Sequence, residues 1–133
     1  MLTRLREIVE KVAAAASLTD ALDLLVNETC LAMDTEVCSI YLADNDRRCY
    51  YLMATRGLKK PRGRTIALAF DEGVVGLVGR RAEPINLADA QSHPSFKYVP
   101  QVKEDRFRSF LGVPIIHRRQ LLGVLVVQQR ELR

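Results

Sequence analysis

Residues Phe110–Gln129, FLGVPIIHRRQLLGVLVVQQ, constrain the fold of this chain more than any other stretch. Two apolar runs, Phe110–Ile116 and Leu121–Val127, flank a polar tetrad at 117–120, which has the length and composition of a hairpin connection. Neither run alternates apolar with polar residues, so each strand is expected to be buried on both faces, with a layer of structure above and below. The hairpin is therefore predicted to lie at the centre of an antiparallel sheet.

Three residues inside the hairpin need a special position. Pro114 cannot donate a ladder hydrogen bond, so we expect it where its missing N–H would point away from a neighbouring strand, or at a bulge. Gly112 and Gly123 leave room for a closely approaching backbone or for a ligand.

The composition describes one small soluble domain that spans 1–133. With 133 residues and 48% hydrophobic content, the chain can bury one core but hardly two. No apolar segment approaches the roughly 20 residues that a membrane span needs, and the amino terminus lacks the apolar core of a signal peptide. The three cysteines are odd in number and lack CxxC spacing, which indicates reduced cytoplasmic thiols instead of disulfides or a zinc site. A net charge of +4 is typical of a solubility feature.

The first half of the chain predicts two helices followed by strands. Apolar residues at helical spacing predict an amphipathic helix from Leu2 to about Ala16, and Ser17 is a candidate N-cap for a second helix that reaches about Met33. Three β-rich segments follow, at Val37–Ala43, Cys49–Thr55 and Thr65–Phe70.

The second half predicts a short helix, a long loop and the hairpin. Asp71 is expected to cap the helix GVVGLVGRR, and Ile85–Leu87 forms a brief strand. Ala88–Arg106 is polar and marked by prolines, and a loop of that length is uncommon unless it covers a binding site. This order predicts an α+β fold with a mainly antiparallel sheet of five to six strands and helices on both faces.

These elements and their motifs resemble a GAF domain. The resemblance is carried by SIYLAD at 39–44, DEGVVGLV at 71–78 and SFLGVPII at 109–116 followed by LLGVLVV, and it covers essentially the whole chain. Within that family, the stretches 49–64 and 70–100 are similar to the amino-terminal GAF domain of the nitrogen-related enzyme I of the phosphoenolpyruvate phosphotransferase system.

The resemblance implies a regulatory domain and not a catalytic one. In that family the GAF domain controls a kinase portion that takes phosphate from phosphoenolpyruvate, in response to glutamine and 2-oxoglutarate. Neither His93 nor His117 lies in the phosphohistidine motif of that portion, so the chain is not expected to transfer phosphate. The resemblance implies no cofactor in this chain, because magnesium is expected only in the kinase portion. It also implies a homodimer. A GAF domain normally continues into a closing helix, whereas this sequence stops at Arg133, just after the final strand. The chain is therefore expected to be the sensor part of a larger multidomain protein.

The resemblance also places a ligand on the sheet face under the loop and helices that follow the third strand. The positions to which it points are Ser39, Tyr41, Phe70, Val74, Val75, Asn86, Phe96, Tyr98, Phe110 and Gln128. Asn86 and Gln128 would fix the orientation of a ligand in a mostly apolar pocket. Phe110 is favoured as a core residue, whereas Phe96 and Tyr98 fit either a core or a lid over the pocket.

The glycines of the short helix allow two kinds of role. Gly73, Gly76 and Gly79 share one helix face but lack the Gly-Lys-Ser/Thr of a P-loop and the GxGxxG of a dinucleotide turn, which favours close helix–sheet packing. The N–H groups at the helix start offer an anion site for a 2-oxo acid, whereas Asp71 and Glu72 favour an ammonium group. Both alternatives stay open.

Two other functions compete with a ligand sensor. An enzyme that reduces free methionine sulfoxide needs two thiols that meet, and a core position for Cys30 would leave this to Cys38 and Cys49. A dimerisation module would have its pocket filled by side chains. The basic loop Arg56–Arg64 is expected to contact the kinase portion or to be solvated, and it lacks the interleaved aromatic residues that favour nucleic acid. No membrane contact is expected.

Overall fold

The structure of the chain is a computed structural model, which describes residues 18–58, 66–88 and 108–130 together with Thr3. The predicted first helix, most of the basic loop and most of the predicted long loop lie outside these ranges, and Phe96 and Tyr98 lie outside with them. Among the residues within them, no helix has the length and apolar character to cross a membrane.

Two helices and six strands occupy the described residues. The helices are α1 (Leu18–Met33) and α2 (Gly73–Arg81). The strands are β1 (Val37–Asp44), β2 (Cys49–Arg56), β3 (Ala67–Ala69), β4 (Ile85–Leu87), β5 (Ser109–His117) and β6 (Gln120–Gln129). The predicted α+β class is confirmed.

All six strands form one antiparallel sheet in the order β3-β2-β1-β6-β5-β4. The predicted central hairpin is confirmed, because β6 pairs with β1 on one side and with β5 on the other. Pro114 pairs with Val124 of β6. On its other side it has no partner among the described residues, because β4 pairs only with residues Phe110 to Gly112 of β5. A residue without an N–H donor is tolerated where one side of the strand has no partner.

The hairpin turn is tighter than the sequence predicted. β5 and β6 pair as far as His117 and Gln120, so the connection consists of Arg118 and Arg119 alone. Both arginines have positive φ, 50° and 65°, as a two-residue type I′ turn requires. The predicted four-residue connection was wrong because polar residues at an exposed strand end look like turn residues in the sequence.

Apolar residues pack on both faces of the sheet, as the unbroken runs predicted. Successive strand residues point to opposite faces, and β1 gives Cys38 and Ile40 to a cluster with α1. The same strand gives Val37 and Tyr41 to a cluster with α2 on the other face. The sheet is thus covered by a helix on each side.

Close packing of α2 on the sheet depends on two glycines. A Cβ atom at Gly79 would overlap the hydroxyl of Tyr50 on β2, and one at Gly112 would lie 2.7 Å from Val78 of α2. Real Cβ atoms do not approach neighbours this closely, so both positions need the bare backbone. The structure therefore confirms helix–sheet packing as the role of Gly79.

Candidate functional site

A cavity of about 190 Å³ lies where the end of α1 meets β4, β5 and β6. An apolar cavity of roughly 150 Å³ is large enough to bind benzene, so this one is of a size to hold a small molecule. Asn86, Phe110 and Gln128 are the sequence-predicted ligand residues in its wall. The described lining is Met33, Thr35, Asn86, Ser109, Phe110, Leu111, Val127, Gln128 and Gln129.

Gln128 borders this wall with its backbone, and its side chain points to the other face of the sheet, because Val127 packs with α1 whereas Phe110, the register partner of Gln128, belongs to the cluster with α2. It lies between Val37 on β1 and Phe110 on β5 and is only 4% exposed. Its Oε1 atom is buried and accepts no hydrogen bond within the described part of the chain. An unmade hydrogen bond at a buried acceptor costs about 1–3 kcal/mol. A ligand that donates an N–H or O–H group to Oε1 would recover this free energy.

The end of β6 beside Gln128 is fixed to the loop between α1 and β1. Gln129 Nε2 donates to the backbone oxygen of Asp34 at 3.1 Å, and the backbone oxygen of Gln129 accepts from Arg108 N–H at 2.7 Å. The N–H of Arg130 donates to Glu36 Oε1 at 2.8 Å, and its Nε lies 3.3 Å from Oε2. These contacts hold the wall of the cavity on two sides.

All the described lining residues are uncharged. A charged group that enters such a site loses hydration and finds no counter-ion in the described wall. The hydroxyl and carboxamide groups of Thr35, Ser109 and Gln129 can instead serve a neutral polar ligand. The wall therefore favours a ligand without net charge over a dianion.

Asn86 lies on the opposite face of the sheet from the one the sequence placed it on. Ile85 belongs to the cluster with α2, and Leu87 packs against it. Because side chains alternate along a strand, Asn86 between them turns toward the α1 side, where it is exposed. The cavity that it lines is accordingly beside the end of α1, and no residue of α2 is among the described lining.

The other described candidates belong to the packing on the α2 side. This group comprises Tyr41, Val74 and Val75, which are buried in the core cluster, and Phe70, which packs against that cluster. Phe110 is a member of the same cluster, as the sequence favoured, and also borders the cavity.

Ser39 is fully buried and has a partner. Its Oγ atom lies 2.8 Å from Oγ1 of Thr55 on the neighbouring strand β2. Because this hydroxyl forms a hydrogen bond within the sheet, it does not need a ligand as a partner, in contrast to Gln128 Oε1.

Sequence reasoning missed four polar or flexible residues of the wall, which are Met33, Thr35, Ser109 and Gln129. Gln129 had a signal, since two glutamines end the otherwise apolar strand β6 and only one was singled out. Met33 and Thr35 had none, because they reach the cavity through the packing of the end of α1 on the sheet.

The start of α2 differs from the predicted cap by one residue. The N-cap is Glu72, with extended backbone, and not Asp71, which is exposed. Glu72 Oε1 accepts the N–H of Ala69 at 3.0 Å, and the Glu72 N–H donates to the Ala69 oxygen at 2.9 Å. The acidic side chain thus closes the turn between β3 and α2, and no feature of this terminus decides between the anion and the ammonium site.

Cys38 and Cys49, the thiol pair that the sequence offered to a methionine sulfoxide reductase, lie too far apart to meet. Cys38 pairs with Arg56 and Cys49 with Asp44, so Cys49 lies six residues further along β1 than Cys38, about 20 Å at 3.3 Å per residue. Disulfides need Cα atoms within about 7 Å. Burial raises the pKa of the Cys38 thiol to about 12, with a smaller contribution from Cys30, and this disfavours the nucleophilic thiolate.

The architecture places the chain in a class. A single antiparallel sheet in the order given above, with helices on both faces, is accompanied by a family match over residues 17–133, described as GAF domain. The chain belongs to the GAF domain family. Among residues 18–58, 66–88 and 108–130, no group of three metal-ligating side chains is present.

Similar proteins narrow this class. Over all 133 residues the chain is 84% identical to a Salmonella typhimurium LT2 protein described as phosphoenolpyruvate-dependent phosphotransferase system, and it spans 18% of that protein's length. It is 46% identical, with a TM-score of 0.91, to the solved GAF domain of a phosphoenolpyruvate-protein phosphotransferase from Coxiella burnetii, covering 98% of this chain and 77% of that one.

A more distant structure shares the fold alone. Free methionine-R-sulfoxide reductase from Neisseria meningitidis is 21% identical with a TM-score of 0.80, covering 96% of this chain and 72% of that one. At this identity the likeness does not extend to the activity.

Proposed function

We propose that this GAF domain is the regulatory unit of a longer phosphoenolpyruvate-dependent phosphotransferase, in which it binds glutamine or 2-oxoglutarate and controls phosphorylation of the linked kinase portion according to nitrogen status. The relative of 84% identity supports the type of parent protein, and its length leaves room for the kinase portion. In this proposal the protein is cytoplasmic and dimeric, magnesium serves only the kinase portion, and the GAF domain transfers no phosphate.

The observation that carries the sensor role is the buried Oε1 of Gln128, which has no hydrogen-bond partner within the described residues and lies on the α2 face of the sheet beside Phe110. Buried polar groups are hydrogen-bonded in the great majority of cases, and an exception calls for an explanation. A bound metabolite with a hydrogen-bond donor supplies one. Its binding controls a linked kinase if the ligand prefers one domain arrangement, since about 1.4 kcal/mol of preference shifts the equilibrium tenfold.

Between the two metabolites, Gln128 Oε1 favours glutamine. Glutamine carries an ammonium group and a carboxamide, both of which can donate to Gln128 Oε1, and its net charge is zero at neutral pH. 2-Oxoglutarate is a dianion with acceptors only, so it cannot donate to Gln128 Oε1.

The test is a titration calorimetry and thermal unfolding series on this chain with glutamine, 2-oxoglutarate, glutamate and phosphoenolpyruvate. A ligand that binds only the folded state, at a concentration of about 100 times its dissociation constant, adds roughly 2.7 kcal/mol to the free energy of unfolding. This raises Tm by several degrees. We expect glutamine to raise Tm of the unmodified chain and of Gln120→Leu, an exposed control, and not of Gln128→Leu. A chain that responds to none of the compounds contradicts the sensor role, and a response retained by Gln128→Leu places the ligand elsewhere.

A second candidate is a dimerisation module. It is favoured by exposed apolar residues on α1, Leu18 at 65% and Leu31 at 54%, because apolar surface of this kind is typical of contacts between chains. Sedimentation of Leu31→Asp beside the unmodified chain tests it. A dimer that Leu31→Asp dissociates, in a chain that no metabolite stabilises, favours this module over the sensor.

A further inference from the structure

The turn between β5 and β6 has an unusual composition. A type I′ turn puts both central residues at positive φ, where asparagine and glycine are preferred because they tolerate the left-handed region. Here both positions are arginine, at φ 50° and 65°. Residues held in disfavoured backbone conformations are concentrated at functional sites, so the identity of these two side chains needs a reason outside the turn itself.

The described part of the fold makes no use of the charges of Arg118 and Arg119. Both residues are exposed, and within the part of the chain that the structure describes neither guanidinium forms a hydrogen bond or an ion pair. His117 before them is exposed as well. Two neighbouring cations therefore project from the tip of the central hairpin without a partner among residues 18–58, 66–88 and 108–130.

The neighbouring turn between β1 and β2 provides a contrast. It lies at the same end of the sheet, because Leu42 near the end of β1 pairs with Gly123 near the start of β6. Its arginines have partners: Arg47 donates to the Tyr51 hydroxyl at 3.5 Å, and the Arg48 guanidinium lies 5.4 Å from the centre of the Phe70 ring.

Exposed apolar side chains flank the two free arginines. Ile116 is 47% exposed and Leu122 is 41% exposed. Leu122 is an extra residue in the strand pairing, since Ile115 pairs with Gly123 whereas Ile116 pairs with Leu121. Such a bulge re-aims side chains beside functional sites. The tip thus combines two cations with two aliphatic groups, as protein interfaces with an acidic partner do.

We infer that the Arg118-Arg119 turn is a docking surface for an acidic patch on the remaining part of the longer polypeptide. Relatives extend far beyond the 18% that this chain spans, so a covalently linked partner is always present at high local concentration. Arginine in place of asparagine and glycine puts two charges where the partner meets them, and the strained backbone holds them at the tip. This inference rests on the proposed function only in its choice of partner.

The test is hydrogen exchange of the turn in the full-length protein. The double variant Arg118→Asn/Arg119→Gly removes both charges and introduces the residues that the turn prefers, whereas Arg118→Lys/Arg119→Lys retains the charges. Docking protects the amides of 116–122, and we expect their exchange to quicken by at least about fivefold in the Asn-Gly variant, the low end of couplings between sites. A better turn alone would slow the exchange, so the two explanations predict opposite signs.

Exchange in the Lys-Lys variant should stay near that of the unmodified protein and quicken at 0.5 M salt, because salt screens surface charges. Equal exchange in the unmodified and Asn-Gly proteins overturns the inference, as does a Lys-Lys variant that behaves like Asn-Gly. Binding of the turn to duplex DNA or to vesicles of anionic lipid, lost in the Asn-Gly variant, would also overturn it by naming another partner. Glutamine binding, which depends on Gln128, is unaffected by either variant and reports on the proposed function separately.

Discussion

Phe110 of β5 and Gln128 of β6 are register partners, which sets an aromatic ring beside a buried carboxamide on two neighbouring strands. The ring belongs to the core, whereas the carboxamide oxygen has no partner within the described residues. A ring that excludes water makes the unmade hydrogen bond more costly. The pair therefore reduces the stability of the domain, and a ligand that donates to the carboxamide oxygen would reverse this loss.

Gln128→Leu is expected to stabilise the unliganded chain. Removal of a buried acceptor that lacks a partner recovers its desolvation cost, and leucine has a similar volume, so we expect a gain of about 1 kcal/mol in the free energy of unfolding. Urea unfolding of the purified chain measures it. Gln128→Glu is the matched control, which should destabilise the chain at pH 7 because it buries a charge. A loss of stability in Gln128→Leu would mean that the carboxamide is satisfied.

Gly79→Ala is expected to destabilise the chain although alanine favours helices. A Cβ atom there would overlap the Tyr50 hydroxyl, and overpacking costs about 1–3 kcal/mol, which exceeds the gain of roughly 1 kcal/mol in helix propensity. The double variant Gly79→Ala/Tyr50→Phe removes the clashing oxygen and should recover part of the loss. A double-mutant cycle of urea unfolding tests this, and additive effects of the two changes would refute direct contact.

The sequence was sufficient for the features that rest on continuous patterns. The unbroken apolar runs of the hairpin predict burial on both faces, and the structure confirms it, because a strand without polar positions has no face to offer to water. The strand β1 and the helix α1 were likewise found within one residue of their predicted limits.

The features that the sequence did not predict depend on single residues in three dimensions. His117 and Gln120 are polar yet paired, so the turn was predicted two residues too long. Asn86 was assigned to the wrong face, because a strand of three residues is too short for its alternation to be recognised. The cavity depends on where the end of α1 packs, which local propensity does not determine.

The stability of the chain is expected to fall above about pH 9. Burial raises the pKa of the Cys38 thiol from its ordinary value of 9.0 to about 12. Between these values the unfolded chain loses the proton that the folded chain retains, so the free energy of unfolding declines by up to about 1.4 kcal/mol per pH unit. The effect is absent below pH 9. Burial also raises the pKa of Tyr50, which adds to the decline at higher pH.

Urea unfolding in reductant at pH 8, 9 and 10 measures this dependence. Cys38→Val removes the thiol and should flatten the decline between pH 9 and pH 10, whereas Cys49→Ser, at a less buried thiol, should leave it unchanged. An equal slope in the unmodified chain and in Cys38→Val would show that the thiol ionises as easily in the folded chain as in the unfolded one.

The Asn-Gly form of the hairpin turn, Arg118→Asn/Arg119→Gly, is expected to stabilise the isolated chain. The left-handed region costs ordinary residues roughly 1–2 kcal/mol each, and glycine and asparagine largely avoid this cost. Glycine also loses more freedom on folding, which offsets part of the gain, so we expect a net increase of about 1 kcal/mol, or a Tm higher by about 4 °C. Arg118→Lys/Arg119→Lys has the same backbone cost and should not raise Tm.

If Asn-Gly raises Tm while it frees the turn in the full-length protein, the arginines are retained for a contact outside this domain and at the expense of its stability. An unchanged Tm would show that the arginine turn carries no strain, and the argument from strain to function would then fail.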